Sequence, residues 1–210
     1  MSELPSTGNC VHSNFGLHDE KMNKKVNKLF ITKRASQAAV ENLNSTIGIF
    51  TMIQDHFKSD FEMVEVGSFE GTSTLMFALF VKKVYSVDCY DYVIPPTGRI
   101  PSHDRLFVRA EKTFLKRTAK KSNIIKIRKT SVEAAKDFAG NSLDAVYIDA
   151  EHDENNVRAD IQAWLPKIKK GGYLSGHDWW LPHIARIVQE VLGEGKVIYV
   201  YSDTSWISQI

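Results

Sequence analysis

Cysteine is scarce in this sequence: there are two in 210 residues, Cys10 and Cys89, in unrelated surroundings and outside any CxxC pair. That spacing argues against a disulfide framework and against thiolate zinc clusters, and it suits a reducing, cytoplasmic setting. Long apolar runs are also missing. A bilayer span needs about 20 apolar residues, and the run from Leu75 to Val81 is far shorter. The opening stretch MSELPSTGNC lacks the basic start and apolar run of a secretion signal. Neither sign of charge dominates: 27 basic against 25 acidic side chains leave a formal net charge of +2. Such a balance gives no push toward nucleic acid or a membrane, and neither is expected as a partner. The lysine-bearing stretch with Lys112, Lys116, Lys120 and Lys121 reads as a solvated helix face. No internal repeat or low-complexity segment is visible.

What is present is an ordinary globular composition, 43% hydrophobic and 25% charged, which can bury the core of one domain. Residues 1 to about 17 are polar and read as a loose arm. Helical patterns follow over about 19–30 and 36–57. In the second, Ala39, Leu43, Ile47, Phe50 and Ile53 form a stripe that asks for a partner. Residues 1–57 are therefore taken as an N-terminal arm and helices, serving as a substrate cap or a homodimer contact. Residues 58–210 are taken as the main domain.

From residue 61 onward, short apolar runs alternate with helical segments. Strands are expected at 61–66, 83–87, 124–128, 143–148 and 172–175, with helices at about 72–81, 104–121, 132–138, 155–168 and 182–192. Two final strands, 197–201 and 206–210, are separated only by Ser202 to Ser205. So short a gap closes only an antiparallel hairpin. The fold predicted is α/β: a doubly wound, mostly parallel seven-stranded sheet, Rossmann-like, with a C-terminal antiparallel hairpin and added N-terminal helices.

Ligands of such sheets bind beyond the carboxyl ends of the strands. Those ends carry Glu65-Val-Gly-Ser-Phe-Glu-Gly71, then Asp88, Ser131, Asp149 and Asp178. The first turn has GxxxG where a dinucleotide fingerprint has GxGxxG, and it follows an acidic residue that would repel phosphate. Glu65 suits a ligand with an ammonium group and hydroxyls, such as the methionine end of S-adenosylmethionine. Gly67 lets the backbone approach the ligand, and Gly71 is expected to let the helix pack closely on the strand. Asp88 is placed to take ribose hydroxyls or to cap a helix, and Ser131 to border an adenine ring or cap a helix. Asp149 and Asp178 end adjacent strands, where two carboxylates need a cation or a proton between them. Oxygen ligands without thiolate favour Mg²⁺, with Ca²⁺ or Mn²⁺ as alternatives. His152 stands beside them as a general base. The competing reading makes both aspartates helix caps and His152 a surface residue. Trp164 reads as core. One of Trp179 and Trp180 is a candidate platform for an acceptor ring.

Taken together, VEVGSFEGTST, VYSVDCYD, DAVYIDAEHD and GGYLSGHDW resemble class I S-adenosylmethionine-dependent methyltransferases. Within those, they resemble the metal-dependent, macrocin-type sugar O-methyltransferases and their small bacterial and phage relatives. The resemblance covers about residues 61–180. It implies cofactor contacts from Glu65, Gly67, Ser68, Phe69, Gly71 and Ser73, from Asp88 and Cys89, and from Ser131 and Asp149. It also implies Mg²⁺ on Asp149 and Asp178, with a further acidic ligand from elsewhere, and His152 acting with Asp149 in catalysis. The expected reaction is methyl transfer to a hydroxyl of a small molecule such as a sugar. Two rivals stand beside it: a non-catalytic cofactor-binding module, and an iron-dependent hydroxylase using His152, His177 and Asp178. Residues 90–103, with Pro95, Pro96, Gly98 and Pro101, read as a substrate loop.

Overall fold

The computed structural model describes residues 10–12, 47–91 and 101–210. In chain order the elements are β1 (Cys10–His12), α1 (Ile47–His56), β2 (Glu62–Val66), α2 (Thr72–Phe77), β3 (Lys83–Val87), α3 (Pro101–Thr118) and β4 (Ile124–Ile127). They continue with α4 (Ser131–Ala135), β5 (Leu143–Ile148), α5 (Glu154–Trp164), β6 (Ile168–Gly176), α6 (Pro182–Leu192), β7 (Ile198–Val200) and β8 (Trp206–Gln209). The expected helix at 19–30, the stripe residues Ala39 and Leu43, and positions 92–100 lie outside the described residues.

The sheet has the order β1-β7-β8-β6-β5-β2-β3-β4. Pairing is parallel except at β8, which runs antiparallel to both β6 and β7. The predicted seven strands and terminal hairpin are present. An eighth strand joins them: β1, within the stretch read as a loose arm, pairs parallel with β7 from Cys10 opposite Ile198 to His12 opposite Val200. A three-residue edge strand carries too little pattern to be seen in sequence.

Burial on both faces accounts for the near-continuous apolar runs. In β2, Val64 and Val66 face a core formed with Val146, Ile161, Trp164 and Ile187, while Met63 faces a second core with Ile53, Phe77, Tyr147 and Ile207. Trp164 is fully buried, as its helical spacing suggested. Helix α1 belongs to the second core. Its buried residues are Gly48, Ile49, Phe50, Met52 and Ile53, a broader face than the expected stripe, and Ile47 is only half-buried. Each large apolar side chain so placed contributes roughly 1.5–3 kcal/mol, so α1 is held to the sheet as an integral layer of the domain.

Several boundaries shift for local reasons. Helix α3 begins at Pro101, since proline suits the first helical turn. Helix α5 ends at Trp164 rather than 168, because Pro166 converts the chain to a 3₁₀ turn over Leu165–Lys167. Strand β6 starts at Ile168 rather than 172, after an irregularity in its register with β5 between Leu143 and Ala145.

Candidate active site

The chain goes from β2 outward to β3 and β4, then returns to place β5 on the other side of β2. The strand order therefore reverses between β2 and β5, where α/β sheets open a crevice. The backbone is closely pinned at that point. Asp149 N–H donates to Val66 O at 2.8 Å, and Gly67 N–H donates to Val87 O at 2.9 Å. Gly67 has φ +88°, and a Cβ there would lie 2.0 Å from the Asp149 carbonyl oxygen. Glycine is thus required by the crossing of two strand ends as well as by its conformation. Gly71, φ +79°, has a different neighbour from the one expected. Its missing Cβ faces the Phe114 ring of α3 at 2.8 Å, so it admits a helix behind the turn rather than the strand.

Above these ends lies a cleft of about 670 Å³. Of the expected cofactor residues, Gly67, Ser68, Phe69, Ser73, Asp88, Cys89, Ser131 and Asp149 line it. Glu65 and Gly71 do not. Glu65 is fully buried behind the loop, where its carboxylate accepts from the hydroxyls of Ser73, Thr74 and Ser86. Burial pushes its pKa up to about 7 against those hydrogen bonds. Asp88 ties two loops together: Oδ2 accepts from Phe69 N–H at 2.8 Å and Oδ1 from Tyr90 N–H at 2.7 Å. Burial raises the Asp88 pKa, and those backbone donors oppose the rise. Ser131 opens α4 as its first helical residue, and its hydroxyl accepts from Trp164 Nε1 at 2.9 Å.

At one end of the cleft, the predicted trio comes together. His152 Nε2 lies 2.5 Å from Asp178 Oδ2 and 3.7 Å from Asp149 Oδ1. One donor atom from each of the three lies within 4.8 Å of the others. Asp149 and Asp178 push the pKa of His152 up to about 10, outweighing the opposite effect of burial. In return His152, with His177, holds the Asp178 carboxyl well below the usual carboxylate range. Asp178 adopts the left-handed conformation, φ +58°, and its Oδ1 accepts from Trp180 Nε1 at 3.0 Å. Neither aspartate caps a helix; Asp153 caps α5, its Oδ1 accepting from the backbone of Asn155 and Asn156. Two carboxylates and one imidazole, converging and partly exposed, form a donor set that suits a divalent cation. Trp180 stands 65% exposed beside this group, whereas Trp179 packs against Trp206 at 6.0 Å.

Sequence reasoning missed other residues of the cleft wall, among them Phe107, Thr130, Val132, Asn156 and Asp160. Asp160 left a readable signal: it is an acidic residue between Val157, Ile161 and Trp164, on the helix face that forms the core.

Residues 64–179 match the family described as methyltransferase domain. An uncharacterized protein of Sinorhizobium fredii is 28% identical over 80 residues. That match covers 38% of this chain but only 7% of the relative's length. Among solved structures, an rRNA methylase from Streptococcus thermophilus superposes with a TM-score of 0.54 at 13% identity, covering 76% of this chain and 91% of that one. A candidate methyltransferase from Streptococcus mutans, solved in complex with SAH, gives 0.53 at 11% identity, covering 77% and 96%. At these identities the superpositions speak for the fold. Among the described residues, no helix is long and apolar enough to cross a membrane.

Proposed function

The chain belongs to the methyltransferase domain family, and from that premise we propose that it is a class I S-adenosylmethionine-dependent enzyme that methylates a hydroxyl oxygen of a small molecule such as a sugar. We assign Asp149 and Asp178 to a divalent cation, magnesium by preference, and the role of general base to His152. One observation carries the reading: Asp149 lines the large cleft and is also a member of the Asp149–His152–Asp178 group. A cofactor in the cleft and an acceptor at the group would therefore meet at a single residue.

The cleft residues bind and orient the cofactor. Gly67 lets the ends of β2 and β5 close up beneath the cleft, and Asp88, its oxygens already aligned by Phe69 and Tyr90, keeps lone pairs for the ribose hydroxyls. A divalent cation on the two aspartates supplies Lewis acidity that lowers the pKa of an acceptor hydroxyl. Were both carboxylates to hold that cation, His152 would lose the partners that hold its proton and could serve as a neutral base. The acceptor O–H bond breaks toward His152 Nε2. Bound S-adenosylmethionine would supply the methyl group to the oxygen so freed, its sulfur keeping the carbon–sulfur electron pair. Holding the two reactants in line accounts for much of the rate. Trp180 offers an apolar plane beside the group for the acceptor ring. The cleft lined by Gly67, Asp88 and Asp149 would have no task in an iron-dependent hydroxylase, which favours methyl transfer.

The test is calorimetric titration with S-adenosylmethionine, with and without Mg²⁺, on the wild type and Asp88→Ala. Binding by the wild type that is lost in Asp88→Ala supports the reading, and an acceptor screen with magnesium follows. No binding by the wild type under either condition overturns it.

A further inference from the structure

The near-neutral balance of the whole chain hides a concentration of one sign on α3. Between Arg105 and Lys121 the sequence is rich in lysine and arginine and has a single acid, Glu111. Glu111 turns toward β4, where it pairs with Lys126 and the adjoining Arg128. Arg117 is also engaged, its Nη1 lying 3.5 Å from Glu70 Oε2. Among the described residues, Arg105, Arg109, Lys112, Lys116, Lys120 and Lys121 have no acidic partner.

Their spacing aligns them. Arg105, Arg109, Lys112 and Lys116 follow one another at four, three and four, so they share one face of α3 and are all exposed. Ala110, Phe114 and Thr118 mark the opposite, buried face. Phe107 lines the cleft from that inner side. The row of cations spans about 16 Å of helix axis, and Lys120 and Lys121 extend it into the following turn.

The helix gains nothing from this row by itself. Arg105 with Arg109, and Lys112 with Lys116, are like charges one turn apart, which repel. Cations near a helix C-terminus are favoured by its dipole, which accounts for Lys116 and the lysines of the turn. Arg105, Arg109 and Lys112 precede the last turn of α3 and have no such reward. A helix that lies in a membrane surface presents its apolar side chains outermost. Here the cations stand outermost, and the half-exposed Val108 and Leu115 lie to one side, the side of Glu111 and β4. The phenylalanines of α3 point inward, so the row has no ring on which an unpaired base could stack.

We propose that the outer face of α3 docks the protein on the phosphate backbone of a double-stranded nucleic acid, without reading its sequence. A duplex carries one negative charge per about 1.7 Å of its axis, so several phosphates fall within reach of a straight row of this length. This departs from the expectation drawn from net charge, which averages over the whole surface. Because the row and the cleft lie on opposite sides of α3, a docked duplex leaves the cleft open, and the proposal is independent of the methyl acceptor.

The experiment measures fluorescence anisotropy of labelled DNA and RNA duplexes of one mixed sequence, over a range of salt concentrations. The proteins are the wild type, Arg109→Gln/Lys112→Gln, and Lys136→Gln/Lys170→Gln as a control of equal net charge. The wild type is expected to bind at low salt and to weaken steeply as salt rises. The α3 variant should bind more weakly, with a slope of log affinity against log salt smaller by about 1.8, two lost phosphate contacts. Its melting temperature should hold or rise, since repulsion along α3 is relieved. The control should match the wild type. Equal weakening in both variants overturns the proposal in favour of general charge attraction. No wild-type binding to either duplex overturns it as well. Vesicles of equimolar phosphatidylcholine and phosphatidylserine, tested beside them, then tell a membrane surface from a merely solvated face.

Discussion

Asp203 Oδ2 accepts a hydrogen bond from the backbone N–H of Ile49 at 2.7 Å, across 154 positions of sequence. A side chain from the β7–β8 turn thereby satisfies the open first turn of α1, as a local cap residue would. The contact needs glycine beside it, since a Cβ on Gly48 would lie 1.9 Å from Asp203 Oδ1. Asp203→Ala is expected to cost about 1–2 kcal/mol in urea unfolding, the usual worth of a cap. Gly48→Ala should cost at least as much in the wild type and much less in the Asp203→Ala background, because the clash leaves with the carboxylate. Additive losses would show that the two residues do not act through each other.

Gly67 and Gly193 both have positive φ, +88° and +82°, yet their surroundings differ. A Cβ on Gly67 meets the Asp149 carbonyl at 2.0 Å, whereas one on Gly193 meets nothing within 4 Å. Gly193→Ala should therefore cost only the backbone strain of a glycine-only conformation, φ +82° and ψ 173°, about 1–3 kcal/mol. Gly67→Ala should cost several times more and abolish S-adenosylmethionine binding, because the strand ends at the reversal point must move apart. Thermal melts and ligand titration of the two variants distinguish the cases.

Glu65 gives stability a definite pH slope. Its pKa in the folded chain is about 7 against an ordinary 4.5, so above pH 4.5 the unfolded chain releases this proton first. Its effect on stability is absent below about pH 4.5, grows unfavourable as pH rises toward 7, and is level beyond. The total is about 3–3.5 kcal/mol. Glu65→Gln removes this component, since its amide can still pair with the hydroxyls of Ser73, Thr74 and Ser86. The difference in unfolding free energy between wild type and Glu65→Gln, measured from pH 4 to pH 8, should change by that amount. Parallel curves would show that Glu65 is ionised in the folded protein.

The proposed base role of His152 predicts that binding and chemistry separate. His152→Ala is expected to lower turnover by about 10²- to 10⁴-fold, the usual share of a general base, and to leave cofactor affinity within about threefold. In the metal-free protein, Asp178→Asn should lower the His152 pKa from about 10, read by NMR from its ring protons. Undiminished turnover in His152→Ala would remove the base assignment.

The sequence revealed those features whose cause is local. Alternating apolar runs, the turn at Gly67 and the acids at 88, 149 and 178 all follow from strands that end at one edge; the structure brings Gly67, Asp88 and Asp149 to one cleft and groups Asp178 with Asp149 and His152. Glu65 was placed on that rim because it ends a strand, but strand alternation turns it to the opposite side of β2 from Val64 and Val66, toward Ser73 and Thr74. Gly71 was assigned to its own helix and strand, yet the crowding comes from Phe114, 43 positions later, which no local pattern reports. The Asp203–Ile49 contact and the pairing of β1 with β7 were invisible for the same reason. Asp160 was legible as an interruption of an apolar stripe, and only α4 packed against α5 shows that the interruption faces a cleft.

Asp149 borders two cavities, the large cleft and a small one behind it that also touches His152 and His177. A carboxylate shared in this way makes two occupancies thermodynamically dependent. Whatever binds against it in the cleft alters the field felt at His152 and Asp178, and by reciprocity an ion held there alters affinity in the cleft by the same factor. If the proposed cation site is real, a measured cofactor affinity is one member of a pair, and its value is defined only together with the cation concentration at which it was taken.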